Sequence, residues 1–189
     1  MKCPSDVEAE SFLRAQGVRE ETVAHCLRVA AIAGRLARNA AAEGHPVDER
    51  LARLGGLLHD CGLGRSHRTD HMIWSRELVL ASDLGDAAFR AALGRIAERH
   101  VGPGLTREDV AAINRAEGIA IPERDYLPET LEEKIVCYAG LLTLGDREIP
   151  FEERWADTSQ TYGAESAIGQ RVAALHRQLG PWAGGAGQG

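Results

Sequence analysis

The sequence predicts an all-α protein built as a helical bundle, and three observations support this. Apolar residues recur at spacings of three, four and seven, the periodicity of one helix face. Capping residues precede these apolar stretches, as Ser5 does ahead of Asp6-Val7-Glu8. No stretch of the chain has a convincing β-strand pattern. We therefore expect helices along nearly the whole chain.

Capping residues and glycine or proline breaks set the expected limits of each helix. The predicted helices run from Ser5 to near Gly17, Glu20 to about Glu43, Asp48 to His59, Asp70 to about Ala81, Asp83 to His100, Thr106 to about Glu117, Thr130 to about Leu144, and about Ser159 to Leu179. A glycine-rich, basic loop is predicted from Cys61 to Thr69.

The length of the chain, 189 residues, is enough for one domain with its own core. Its 44% apolar and 26% charged content is ordinary for a globular protein. We predict a single domain over residues 1–179 and a flexible, glycine-rich tail over residues 180–189.

The net charge of −6 and the pI near 5.7 argue against a nucleic-acid polymer or a membrane surface as partner. A local basic pocket would still suit a small phosphate. The chain shows neither an apolar run long enough to span a membrane nor the apolar core of a signal peptide, so we expect a cytoplasmic protein. The four cysteines form no closely spaced pair, which predicts reduced thiols.

Four histidines and one aspartate stand where apolar helix faces begin or end. An isolated histidine in such a place is more often a hydrogen-bonded core residue than a metal ligand. Four of them would be costly to bury without a common partner, at about 1–3 kcal/mol for each unpaired ring. We therefore predict a metal site, with one or two ions of iron, manganese or zinc. The predicted ligands are His25, His59, Asp60, His71 and His100.

These residues belong to segments that resemble the HD-domain metal-dependent phosphohydrolase superfamily, in its small stand-alone branch. The resemblance covers about residues 10 to 145. The segments that carry it are ETVAHCLRVA at 21–30, GLLHDCG at 56–62, HRTDH at 67–71, ERH at 98–100 and YLPETLEEKIVCYA at 126–139. It implies an HD-domain helical bundle and a site that is often binuclear, frequently with iron. It also implies a small phosphomonoester, phosphodiester or nucleotide as substrate.

The chain departs from the family pattern at Gly140. In the family, the helix resembling residues 134–139 continues into an aspartate that ligates the metal. Asp146 is six residues further on, a helical rotation of about 240°, and would face elsewhere. Cys137, one turn earlier, could offer a thiolate, although a buried cysteine is more often an apolar filler. Water is the remaining candidate for that coordination position.

The chemistry that fits this ligand set is hydrolysis by a metal-activated water. Asp60 would bridge two metal positions, and His67 could donate a proton to the leaving oxygen. Arg65 and Arg68 could grip phosphate oxygens, and the alternative is that both are solvated loop charges. Lys134 is a third candidate for substrate binding, with an ion pair to Glu129 or Glu133 as its alternative.

Three functions are consistent with the sequence. The first is a metal-dependent phosphohydrolase, and the second is a di-iron oxygenase, since the resemblance includes a few members that activate dioxygen with the same ligands. The third is a catalytically impaired member that binds a nucleotide, to which Gly140 gives weight. The oligomeric state is left open.

Overall fold

The computed structural model describes residues 3–184, and the predicted all-α fold is confirmed over this range. The described residues form nine α-helices, two short 3-10 turns and one small hairpin. In chain order the elements are α1 (Asp6–Ala15), α2 (Glu20–Ala42), α3 (Glu49–Leu58), a 3-10 turn (Cys61–Gly64), α4 (His71–Ala81), α5 (Ala87–Arg99), α6 (Arg107–Glu117), α7 (Leu131–Leu141), β1 (Thr143–Leu144), β2 (Arg147–Glu148), α8 (Phe151–Tyr162), α9 (Ala167–Leu179) and a second 3-10 turn (Gly180–Ala183).

Capping side chains begin several helices where the sequence predicted them. Ser5 and Thr130 each form a capping box with a glutamate three residues later. Thr106 does the same with Asp109. Asp48 accepts a hydrogen bond from the backbone N–H of Leu51 at 2.9 Å. These caps fix the starts of α1, α3, α6 and α7.

The centre of the bundle is the packing of α2 against α3, with α7 lying against both. Gly56 permits the close approach of α2 and α3, because a Cβ at that position would stand 3.0 Å from the backbone of Ala30. Gly62 lets the first 3-10 turn meet the start of α4, since a Cβ there would overlap the carbonyl of His71. Both glycines lie within three residues of the His59-Asp60 doublet and allow the helices around it to converge.

Two predicted helix starts differ from the structure. The cap of α5 is Asp86, which accepts from the N–H of Phe89, and Asp83 lies before it. Asp70 occupies the cap position of α4, but its carboxylate accepts from the hydroxyl of Ser66 at 2.5 Å and makes no capping bond. The prediction named Asp83, and the helix begins three residues later because the side chain of Asp86 supplies the capping bond.

The chain after α7 also differs from the prediction. Helix α7 ends at Leu141, and an antiparallel hairpin follows, with Gly145 at a φ of 61° in its turn. The single predicted helix from about Ser159 is two helices, because Gly163 has a φ of 87° and ends α8. Ser166 then caps α9.

The predicted flexible tail does not begin at Gly180. Residues 180–183 form a 3-10 turn, and Trp182 within it is buried. Its indole N–H donates to the carboxylate of Glu43, and its carbonyl accepts from the amide of Asn39. Residues 185–189 of the predicted tail lie outside the described residues.

Within residues 3–184, no helix has the combination of length and apolarity that crossing a bilayer would require.

Candidate metal centre

The structure brings all five predicted ligands to one cavity of about 320 Å³. They come from four parts of the chain. His25 is on α2, the His59-Asp60 doublet follows α3, His71 begins α4 and His100 follows α5. The site therefore exists only where these four helices meet.

The carboxylate of Asp60 stands between two pairs of imidazoles. Its Oδ1 lies 3.1 Å from Nε2 of His71 and 3.0 Å from Nε2 of His100. Its Oδ2 lies 3.4 Å from Nε2 of His59 and 4.0 Å from Nε2 of His25. Each oxygen thus faces one pair of rings, as expected of a carboxylate that bridges two cations.

Two overlapping groups of side chains could each hold an ion. One consists of His25, His59 and Asp60, and the other of Asp60, His71 and His100. In each group the ligand atoms lie within 4.8 Å of one another. Asp60 is common to both.

Backbone carbonyls fix the orientation of all four imidazoles. In every ring Nδ1 donates to a carbonyl, which leaves Nε2 of the neutral ring with a lone pair. The acceptors are Gly145 for His25 at 2.8 Å, and Gly56 for His59, Arg68 for His71 and Ala97 for His100, each at 2.7 Å. Four rings with the same tautomer, all presenting Nε2 to one carboxylate, are arranged as metal ligands.

The His71–His100 contact supports the same conclusion. Their Nε2 atoms are 3.1 Å apart. In the neutral rings both atoms are lone-pair acceptors, and two acceptors at this separation need a cation between them. Either a metal ion or a proton between the two Nε2 atoms would supply this positive charge.

Burial and mutual charge set the protonation of the site. Burial opposes the charged form of Asp60, but the surrounding imidazoles, His59 foremost, hold its pKa well below the usual range. Burial lowers the pKa of His100 to about 4, in spite of its hydrogen bond with Asp60. Burial also opposes the charged form of His59, yet Asp60 raises its pKa well above the usual value. A metal cation between His59 and Asp60 would replace that proton.

Gly140 lies on the wall of this cavity, at the position where the family resemblance expects an aspartate. A Cβ built at Gly140 would meet no other atom within 4 Å. Cys137, one turn earlier, also lines the cavity, but its thiol donates to the carbonyl of Arg99 at 3.2 Å, and burial raises its pKa. It is therefore a protonated thiol rather than a thiolate ligand. Asp146 lies in the hairpin turn, and its backbone carbonyl accepts from Arg28.

The predicted substrate-binding loop is next to the site but not in its wall. Arg65, His67 and Arg68 are exposed and do not line the cavity. The guanidinium of Arg68 donates to the carbonyl of Glu117 at 2.9 Å. The structure therefore leaves Arg65 and His67 on the outer rim and uses Arg68 to hold the loop against α6.

Lys134 is not part of the metal centre. It lines a separate groove with His45, Leu131 and Trp182. The alternative of an ion pair with Glu129 or Glu133 is not seen either, because both carboxylates pair with arginines of α5. Lys134 is six residues before Gly140, a helical rotation of about 240°, so the two residues lie on different faces of α7.

Arg154 on α8 lines the metal cavity and was not predicted. Its Nε donates to the carbonyl of Leu141 at 2.8 Å, one terminal nitrogen donates to Thr143, and the other pairs with Asp157 at 3.1 Å. No pattern in the sequence marks this arginine, because it follows the segments that carry the resemblance. It enters the site only because the hairpin turns the chain back.

Comparison with known proteins agrees with the geometry. A family model described as "HD domain" matches residues 22–143, which include all five ligands. An uncharacterized protein of Methanocaldococcus jannaschii is 40% identical over 160 residues, covering 85% of this chain and 88% of that protein. No solved structure gives a significant match.

Two longer archaeal proteins are also similar. The tRNA (cytidine(56)-2'-O)-methyltransferase of Picrophilus torridus is 30% identical over 176 residues, and that of Thermoplasma volcanium is 27% identical over the same length. The alignments cover 93% of this chain but only 46% and 47% of those proteins. The chain thus spans just under half the length of either methyltransferase, and their names describe activities of those longer proteins.

Proposed function

We propose that the chain is a metal-dependent phosphohydrolase acting on a small phosphate ester. The chain belongs to the HD domain family, which supports this proposal. The observation that carries the proposal is the position of Asp60 between two pairs of imidazoles, with every Nε2 directed to it. Oxygen and nitrogen ligands of this kind suit iron, manganese and zinc. His25, His59 and Asp60 would hold one ion, and Asp60, His71 and His100 a second.

Bound metal would supply an acidified water and a Lewis acid for the phosphoryl oxygens. The chain's own residues hold that arrangement: the four carbonyls fix the rings, and the Asp60 carboxylate is largely buried among them. Hydrolysis forms a P–O bond to the water oxygen and breaks the ester P–O bond. The leaving oxygen takes up one proton, so that the products are phosphate and an alcohol. We keep His67 as the candidate proton donor and Arg65 as a candidate phosphate contact at the rim.

Arg154 is the better-placed candidate for orienting the phosphate. A guanidinium has five N–H donors. In Arg154, three of these N–H donors have protein acceptors within residues 3–184, which leaves two N–H donors for phosphate oxygens. Its bonds to Leu141 and Thr143 also hold the side chain in a fixed position, which favours directed binding.

The test is metal content and hydrolysis measured on the same preparations. Wild type reconstituted with iron, manganese or zinc should bind metal and hydrolyse phosphomonoesters or phosphodiesters, while a His59→Ala, Asp60→Ala double variant should lose both. His45→Ala is the matched control, because His45 is exposed and lines a different groove. Equal metal stoichiometry in wild type and the double variant would refute the site.

The same preparations distinguish the other two functions. Oxygen consumption by the iron form, without release of phosphate, would indicate a di-iron oxygenase. Nucleotide binding without either reaction would indicate a catalytically impaired member, as the missing carboxylate at Gly140 suggests. Either result would replace the phosphohydrolase proposal.

A further inference from the structure

A larger cavity, of about 510 Å³, adjoins the metal centre. The two cavities share four lining residues: Val101, Gly102, Leu141 and Arg154. A molecule whose phosphate lies at the metal centre would therefore extend its remaining part into this second space, which we call the adjoining cavity. Its volume is in the range of small-molecule binding sites.

The walls of the adjoining cavity come partly from outside the family domain. The 101–105 loop and α6 form one side, and α8 and α9 form the other. The family match ends at residue 143, before α8 begins. The shape of the adjoining cavity is therefore set in part by α8 and α9, which lie beyond the residues of the family match.

The charged groups around the adjoining cavity do not favour a second anion. Arg154 pairs with Asp157 at 3.1 Å, and Arg171 pairs with Asp109 at 2.6 Å. Glu117 adds a third carboxylate, which accepts from Thr69. The two arginines and three carboxylates leave a formal charge of minus one. A further phosphate placed here would meet net repulsion, because the three carboxylates outnumber the two arginines.

The remaining wall is mainly apolar. Leu105, Ile113, Ile168 and Val172 line it, and the half-exposed ring of Tyr162 lies among the lining residues as well. Burying an apolar ring against such a surface is favourable because it removes apolar area from water. An exposed tyrosine also offers a face for stacking.

We propose that the adjoining cavity binds the uncharged, ring-containing group of a phosphomonoester whose single phosphate lies at the metal centre. This inference rests on the proposed function. It names the substrate class: one phosphate, at the metal, joined to a ring system without further negative charge.

The test uses naphthyl phosphate and ethyl phosphate as substrates of the metal-loaded protein. Ala112 is an exposed residue of α6 that lines the cavity, so Ala112→Trp should narrow the cavity without disturbing the core. The ratio of kcat/KM for naphthyl phosphate to that for ethyl phosphate should fall about tenfold. Ala116→Trp, at an exposed position on the same helix that does not line the cavity, is the control and should leave the ratio unchanged. An unchanged ratio in Ala112→Trp would overturn the inference.

A charge comparison tests the other half of the proposal. Naphthyl phosphate that carries a carboxylate on the ring should have a kcat/KM about tenfold lower than the unsubstituted ester, because the three carboxylates around the cavity outnumber its two arginines. A preference for the carboxylated ester would overturn the assignment of an uncharged group.

Binding of naphthol, measured by calorimetry, separates this inference from the proposed function. If the protein binds naphthol and Ala112→Trp abolishes the binding, the adjoining cavity is supported even when no ester is hydrolysed. If esters are hydrolysed but naphthol does not bind, the phosphohydrolase proposal stands and the present inference fails.

Discussion

Asp60 is the residue on which the metal centre depends, because each of its carboxylate oxygens faces a different pair of histidines. The surrounding carbonyls have a separate role: they select the Nδ1–H tautomer and thereby leave Nε2 available. One of these carbonyls belongs to Gly145, which is 120 residues away from His25 in the chain. The hairpin after α7 thus helps to orient a ligand on α2.

Gly140 is the position at which a single substitution should strengthen the site. Its helix faces the cavity, and a Cβ there meets no atom within 4 Å. We expect Gly140→Asp to add a carboxylate ligand, to tighten metal binding and to raise hydrolytic activity. The measurement is metal affinity by competition with a chelator, together with kcat/KM on the best substrate found.

Gly140→Ala is the matched control for that substitution. Alanine should stabilise α7 by less than the about 1 kcal/mol that separates it from glycine in a helix interior, because Gly140 is the next-to-last residue of the helix. It should not change metal affinity, because it supplies no ligand. If the aspartate variant binds metal no more tightly than the alanine variant, residue 140 does not complete the coordination shell.

At the scale of elements, an ion-pair network joins α5 to the start of α7 and holds the end of α5 next to His100. Glu129 and Glu133 both form ion pairs with Arg95 and Arg99, but the two carboxylates differ in burial. The side chain of Glu133 is 2% exposed, while that of Glu129 is 63% exposed. The same kind of arginine–carboxylate ion pair is therefore present once in a buried and once in a solvent-exposed environment.

Glu133→Gln should be strongly destabilising, and Glu129→Gln should not. The buried carboxylate of Glu133 accepts from Nε of Arg95 at 2.9 Å and from the backbone N–H groups of Glu129 and Thr130, and removing its charge weakens these bonds where water cannot replace them, which costs about 3 kcal/mol or more. The exposed pair is screened by water, so its loss should be a minor change. Urea unfolding at neutral pH measures the free energy of unfolding of both variants. Equal losses in the two variants would mean that burial does not decide the strength of these pairs.

The pH dependence of this comparison has a definite sign. Hydrogen bonds from Arg99 and Arg95 lower the pKa of Glu129 to about 2, below its ordinary value of 4.5. The stabilising contribution of Glu129 is therefore present above about pH 4.5 and is lost as the pH falls towards 2. Any difference in stability between wild type and Glu129→Gln should shrink over that interval.

The sequence predicted the convergence of the five candidate ligands because each lies in, follows or begins a strongly periodic helix, so that residue spacing fixes the facing side. It failed where backbone glycines redirect the chain. Gly145 and Gly163 have positive φ, which nothing in the apolar pattern required, and the predicted single C-terminal helix became α8 and α9. Arg154 and the buried Trp182 were missed for this reason, since their positions depend on those turns.

Four helices converge at the candidate metal centre, so we expect metal binding and global stability to be linked. The ligands come from α2, the end of α3, α4 and the end of α5, and they converge only in the folded chain. An ion that binds the folded but not the unfolded chain stabilises it by about 2.7 kcal/mol at a concentration 100 times its Kd. For a domain of this size that corresponds to a rise in Tm of about 5–10 °C.

We therefore expect iron, manganese or zinc to raise the Tm of wild type, and a chelator to reverse the rise. The His59→Ala variant should lose most of the rise in Tm, because it removes one imidazole from the group formed by His25, His59 and Asp60. That imidazole also lies next to Asp60, which both groups share. His45→Ala should keep the full shift, since that exposed ring is outside the cavity. Differential scanning calorimetry at several metal concentrations measures all three. A metal-dependent shift of equal size in His59→Ala would place the binding elsewhere on the protein, and the convergence of the four helices on Asp60 would then need another explanation.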